Sequence, residues 1–231
     1  MNKKEVISLL KSNKDERGIN HWNSKVNSDL ESFGIGLTKL RKLAKEIGKN
    51  HDLSLELWES NIYDARTIAI LIDEPKKMTR EQIESQVDKL NQGHLAHAFS
   101  SCGAPLGKVA FVMEIAKDWI NSDDRNRIRC GYGLIYEESK SKKKNAPSNE
   151  DFLTIVNKID KEFKNHKTSV LGAMGGALMG IGKRNPELNK AALKVAKKIG
   201  PIYFNADENN CEPFDVVKHL TSDYLKNKFS A

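Results

Sequence analysis

Between Asn185 and Pro201 the chain writes out one whole helix, and this segment constrains the fold more than any other. Asn185 offers a side-chain oxygen to the orphan amides, Pro186 brings a φ suited to the first turn, and Glu187 sets a negative charge at the positive helix end. Leu188, Ala192, Val195 and Ile199 repeat at a helical period until Gly200-Pro201 stops them. The pattern recurs. Leu37, Leu40, Ala44 and Ile47 form another stripe, with Lys39, Lys42 and Lys49 elsewhere on the wheel and Gly48 as the break. Leu53, Leu55, Leu57 and Trp58 follow at once. Thr79 and Gln82 make a capping-box pattern ahead of Ile83, Val87 and Leu90. Ser122 is expected to cap a helix with Asp123 and Asp124 in its first turn. Strand signals are nearly absent.

The later helices group as 107–120 with 123–138, 149–164 with 167–183, and 186–199 with 213–228. Pair starts lie roughly 40 residues apart, the period of HEAT-type repeats. The expected fold is therefore all-α, a HEAT-like superhelix of antiparallel helix pairs with at most two short strands. It is taken as one domain over 1–231, with a basic loop at about 139–148. Ile202 to Pro213 reads as irregular, with one short extended piece.

The net charge of +7 is concentrated. Residues 121–200 hold 17 Lys and Arg against 9 Asp and Glu, while the rest of the chain is nearly balanced. A block of that kind points to a polyanion-facing surface; solvated lysine-rich helix faces are the plainer reading. The longest apolar stretch, Ser169 to Gly182, is short, glycine-rich and closed by Lys183-Arg184, so no membrane span is expected. The start, Met1-Asn2-Lys3-Lys4-Glu5, lacks a signal-peptide core, and three scattered cysteines make no disulfide framework. Both point to the cytoplasm.

Two segments carry a family resemblance: Leu55-Glu56-Leu57-Trp58-Glu59-Ser60 with Tyr63-Asp64-Ala65-Arg66, and Met174-Gly175-Gly176-Ala177-Leu178-Met179-Gly180-Ile181-Gly182-Lys183-Arg184-Asn185 with Ala196-Lys197-Lys198-Ile199-Gly200 after it. They resemble the DNA alkylation repair family, the AlkD-like glycosylases, over roughly residues 35–225. The resemblance implies a HEAT-like fold gripping duplex DNA in a basic concave groove. It also implies, for active members, cofactor-free release of N3- and N7-alkylated purines. Their chemistry uses a carboxylate to stabilise a sugar cation, and aromatic faces beside it. Where active members carry a Trp-Asp-x-x-Asp pattern, this chain has His94-Leu95-Ala96-His97-Ala98, and no Asp or Glu occurs from Lys89 to Met113. The family's second aromatic falls on Gly176 and its neighbouring Arg on Met179; another family Arg corresponds to Arg127 or Arg129.

The resulting expectation is a DNA-binding protein that grips duplex, damaged or branched DNA without the family's excision mechanism. Arg127, Arg129, Lys183, Arg184, Lys190, Lys194 and Lys197 are the expected phosphate contacts. An alkylpurine glycosylase with a relocated carboxylate is the alternative, with Asp64 and Glu114 as sources and His94 and His97 as further candidates. A protein-interaction solenoid is the third reading. Metal binding is not expected, since His94, His97 and Cys102 lack a further local ligand, and no cofactor is called for. Trp58 and Arg66 are read as structural. The glycines at 172, 175, 176, 180 and 182 are read as close helix packing, because a phosphate loop needs a preceding strand.

Overall fold

The computed structural model describes residues 1–101, 103–142, 146–204 and 212–230. These residues form helices joined by short connections, with two isolated bridges, Glu31 to Ile62 and Ile202 to Phe214, in place of any sheet. The expected all-α class is what is found. The chain divides into two compact units, Met1–Val112 and Met113–Ala231.

In the first unit α1 (Lys3–Ser12), α3 (Leu37–Ile47), α4 (His51–Trp58) and α7 (Leu95–Ser100) gather around α5 (Tyr63–Ile72). Eight of the ten α5 residues are buried, including Ile68 and Ile72. Each such aliphatic side chain contributes about 1.5–3 kcal/mol by leaving water. The remaining helices of this unit are α2 (Glu16–Lys25) and α6 (Arg80–Val87). Thr79 caps α6 by accepting the Gln82 amide, but the Gln82 side chain does not close the box; it donates to Asp73 at 2.7 Å. Asp73 also meets His51 Nδ1 at 2.7 Å, so this carboxylate joins the starts of α4 and α6.

The second unit comprises α8 (Val112–Ile120, entered from the last residue of the first), α9 (Arg125–Ser139), α10 (Asn149–Glu162), α11 (Thr168–Gly182), α12 (Pro186–Ile199), α13 (Val216–Leu220) and α14 (Asp223–Ser230). Packing runs mainly between alternate helices: α11 lies against α9 and α13, and α10 against α12. Two layers result, one of α9, α11 and α13 and one of α10 and α12, sealed by Trp119, Phe152, Leu178 and Ile181. The caps follow the residues that encode them. Asn185 accepts the Leu188 amide, Pro186 opens α12, and Gly200 ends it at φ 72°. Ser148 and Asp151 form a reciprocal box on α10. Two positions differ from expectation. Asp124, not Ser122, caps α9. The last expected helix, 213–228, is two, because the chain breaks between Leu220 and Asp223.

The helical glycines of α11 mark close approaches. A Cβ on Gly175 would stand 2.9 Å from Phe214, one on Gly182 2.7 Å from Leu220, and one on Gly180 would run into Ser139 and Tyr136 of α9. Gly176 differs: a Cβ there meets nothing within 4 Å.

Candidate nucleic-acid interface

Helices α9 and α11 run side by side in the same direction. Ile128 and Val170 share one hollow, of about 370 Å³; Tyr136 with Gly180, and Lys140 with Lys183, share another. That register sets Arg129 level with Gly172. On α9 the spacing i, i+4, i+7, i+11, i+15 aligns Arg125, Arg129, Tyr132, Tyr136 and Lys140. On α11 the same rule aligns Gly172, Gly176, Met179 and Lys183, all half-buried. Within the α9 line Tyr132 is fully buried and near enough to Glu162 of α10 to feel its charge; on α11, Met174, Leu178 and Ile181 are buried on the side opposite the half-buried line.

At the C-terminal ends of the two helices lies a cleft of about 530 Å³. Its cations are Lys140, Lys142, Lys183, Arg184 and Lys228, and none of its lining residues is acidic. Their positions have distinct causes. Arg184 Nη1 donates to the Ser139 carbonyl at 2.6 Å and to that of Ser141 at 3.2 Å, while its guanidinium stacks 4.7 Å from the Phe152 ring centre. Lys228 donates to the Lys183 carbonyl at 2.6 Å, a positive charge at the negative end of α11. Lys140 pairs with Glu137 at 2.8 Å and sits over the Tyr136 ring. The Lys183 ammonium has no ion-pair partner among the described residues, and partial burial holds its pKa below the usual lysine value. Arg129 is in the same condition: half-buried, without a carboxylate among the described residues, and pushed down first by burial.

The expected contact set does not share one face. Arg129 and Lys183 lie on the open side of α9 and α11. Arg127, two residues from Arg129, points to the opposite side of α9. Lys190, Lys194 and Lys197 are exposed on α12, directly opposite its buried stripe of Leu188, Ala192, Val195 and Ala196, so they turn away from α9 and α11. Arg184 lines the cleft, but its guanidinium is engaged in fastening α11 to the end of α9. The sequence reading missed Lys142 and Lys228. Lys142 belongs to the expected basic loop at about 139–148, of which Lys143–Asn145 fall outside the described residues. Lys228 reaches Lys183 across 45 residues of chain, and no local pattern signals that.

The other candidates are scattered. Asp64 is fully buried; its carboxylate accepts the Ser32 hydroxyl at 3.0 Å and the amides of Phe33 at 2.7 Å and Ile35 at 3.1 Å. Burial outweighs those bonds and raises its pKa. Glu114 is exposed on α8. His94 and His97 are exposed around α7, the His94 amide donating to Tyr63 Oη at 3.1 Å. Cys102 lies outside the described residues. Among the described residues no group of three metal-ligating side chains occurs, and no helix is long and apolar enough to cross a membrane. Trp58 and Arg66 form a structural pair: Arg66 Nε donates to the Ser60 carbonyl at 2.7 Å while its guanidinium lies 5.5 Å from the Trp58 ring centre.

A family model described as DNA alkylation repair enzyme matches residues 6–204. The Listeria innocua protein Lin0241 is 24% identical and the Listeria monocytogenes protein Lmo0209 25% identical, each over 193 residues covering 83% of both chains. A solved structure superposes with a TM-score of 0.81 at 21% identity, covering 99% of this chain and 96% of the other. It is described as a new family of proteins related to the HEAT-like repeat DNA glycosylases with affinity for branched DNA structures.

Proposed function

The chain belongs to the DNA alkylation repair family, and from that premise we propose that it binds DNA through the open side of α9 and α11 without the family's base-excision chemistry. The observation that carries the reading is the cleft of five cations with no acidic lining residue. Lys183 and Arg129, partly desolvated and lacking carboxylate partners among the described residues, gain from an arriving phosphate what water no longer fully supplies. The HEAT-like fold shared with a protein that has affinity for branched DNA supports DNA, duplex, damaged or branched, as the partner. The missing excision chemistry rests on the acid-free stretch Lys89–Met113 and on Gly176.

Fluorescence anisotropy on a labelled duplex and a four-way junction, across a salt series, tests this. Log affinity is expected to fall steeply with log salt. Lys142→Ala and Lys183→Ala are each expected to flatten the slope by about one unit. Absence of binding at low salt, or substitutions that leave affinity and slope unchanged, overturns the proposal.

A further inference from the structure

Three aromatic side chains of the second unit are exposed: Tyr224 on α14, and the adjacent pair Tyr203 and Phe204. Tyr203 and Phe204, just after the bridge at Ile202, are 64% and 57% exposed. The seat of Phe204 is built into α11, since its ring edge fills the volume that a Cβ on Gly172 would need. One turn on, the helix backbone at Gly176 is bare. In the register of α9 and α11, Arg129 stands level with Gly172, and its guanidinium has no acceptor among the described residues.

A flat exposed ring, a bare stretch of helix and an unpaired guanidinium on one side of the unit match one ligand class. A nucleotide whose base has left the duplex stack offers both a π-face and a phosphate; a fully paired duplex hides its base faces and offers only the phosphates. The cations of the cleft extend this match. Lys183 lies eleven residues along the same line of α11, about 16 Å at the helical rise of ~1.5 Å per residue, within reach of neighbouring phosphates. We infer that Phe204 is a stacking platform for one unpaired nucleotide of the bound DNA, with Arg129 taking that nucleotide's phosphate. The inference rests on the DNA-binding reading and assigns it a selectivity: branch points and bulges are favoured because they supply unstacked bases.

The test compares a paired duplex with the same duplex carrying one unpaired 2-aminopurine, using the full chain. The expected result is tighter binding of the bulged duplex by about tenfold, with quenching of the 2-aminopurine fluorescence as it stacks. Phe204→Leu keeps an apolar group over Gly172 and is expected to abolish both the preference and the quenching while leaving affinity for the paired duplex unchanged. Phe204→Trp is expected to retain both. Lys183→Ala is expected to weaken binding of the two DNAs equally. Retained preference and quenching in Phe204→Leu overturns the inference, as does an equal loss on both DNAs. If the unaltered protein binds both DNAs equally, the stacking site falls and the DNA-binding reading stands; if it binds neither, both fall.

Discussion

Helix α5 of the first unit and α11 of the second are both apolar helices flanked by others, yet they use their surroundings in opposite ways. Around α5 eight of ten residues are buried, and the charged groups are engaged in holding the chain: Asp64 gathers three donors from the Ser32–Ile35 segment, and Arg66 reaches the Ser60 carbonyl. Around α11 three sides are packed and one is open, with Arg129 on the neighbouring helix and Lys183 at its end left without ionic partners among the described residues. Burial of an ionisable group has two meanings here. At Asp64 it comes with three hydrogen-bond donors around the carboxylate. At Arg129 and Lys183 it comes without an ionic partner among the described residues, the condition on which the proposed DNA contact rests.

The widest test of this contrast is chemical. If the acids of the first unit serve the fold alone, duplex DNA carrying N7-methylguanine should lose its base at least two decades more slowly than with active family members, the usual effect of removing one well-placed stabilising group. Single-turnover assays measure this, and excision at the ordinary family rate breaks the contrast.

Next in size is the stability of the first unit. Asp64→Ala leaves two backbone amides and a hydroxyl without their acceptor and should cost on the order of 3 kcal/mol in denaturant unfolding. The sign of its pH dependence follows from the raised pKa: the folded chain holds this proton more tightly than the unfolded chain. The stabilising contribution is thus greatest below the ordinary carboxylate pKa and declines as pH rises through the raised value. The loss on substitution should accordingly be largest near the ordinary Asp value of ~3.9 and shrink as pH rises.

Glycine substitutions sharpen the comparison within the second unit. Gly131 of α9 faces α8 so closely that a Cβ would stand 3.0 Å from the Ile120 backbone nitrogen, and Gly131→Ala should cost about 1–3 kcal/mol by overpacking. Gly176→Ala should instead gain up to about 1 kcal/mol from helix propensity, because the side it faces is open. Thermal unfolding of the two variants checks both signs. The smallest effect is expected on α12. Replacing Lys190, Lys194 and Lys197 together by Gln should flatten the salt slope of DNA binding by less than one unit, well below the roughly three units of three direct phosphate contacts. A three-unit change would move the interface to the other layer.

Much of the fold was legible because its signals are local. Asn185, Pro186 and Gly200 fix α12 by cap geometry that neighbouring residues determine, and the buried stripes of α3 and α12 follow from period alone. The division of α13 from α14 and the choice of Asp124 over Ser122 as cap were not legible, because both depend on which of several suitable polar residues meets the packed chain. The site was legible only in part. A charge count locates a basic block but not the sides of its helices, so Arg129 and Lys183 were grouped with α12 lysines that face elsewhere. Gly172 and Gly176 look alike in sequence; only the Phe204 ring, thirty-two residues along, separates a packed glycine from an open one.

Arg184 acts on the mouth of the cleft before any ligand arrives. By holding the carbonyls of Ser139 and Ser141 it keeps the turn that carries Lys140 and Lys142 in one conformation. On the proposed DNA-binding reading, a strand settling there would have less backbone and fewer side chains to immobilise, so less entropy would be lost on association. The cations themselves are no stronger for it. The difference falls on residence time, since docking on a pre-ordered surface chiefly slows departure, and Arg184→Lys, which preserves net charge, would shorten it.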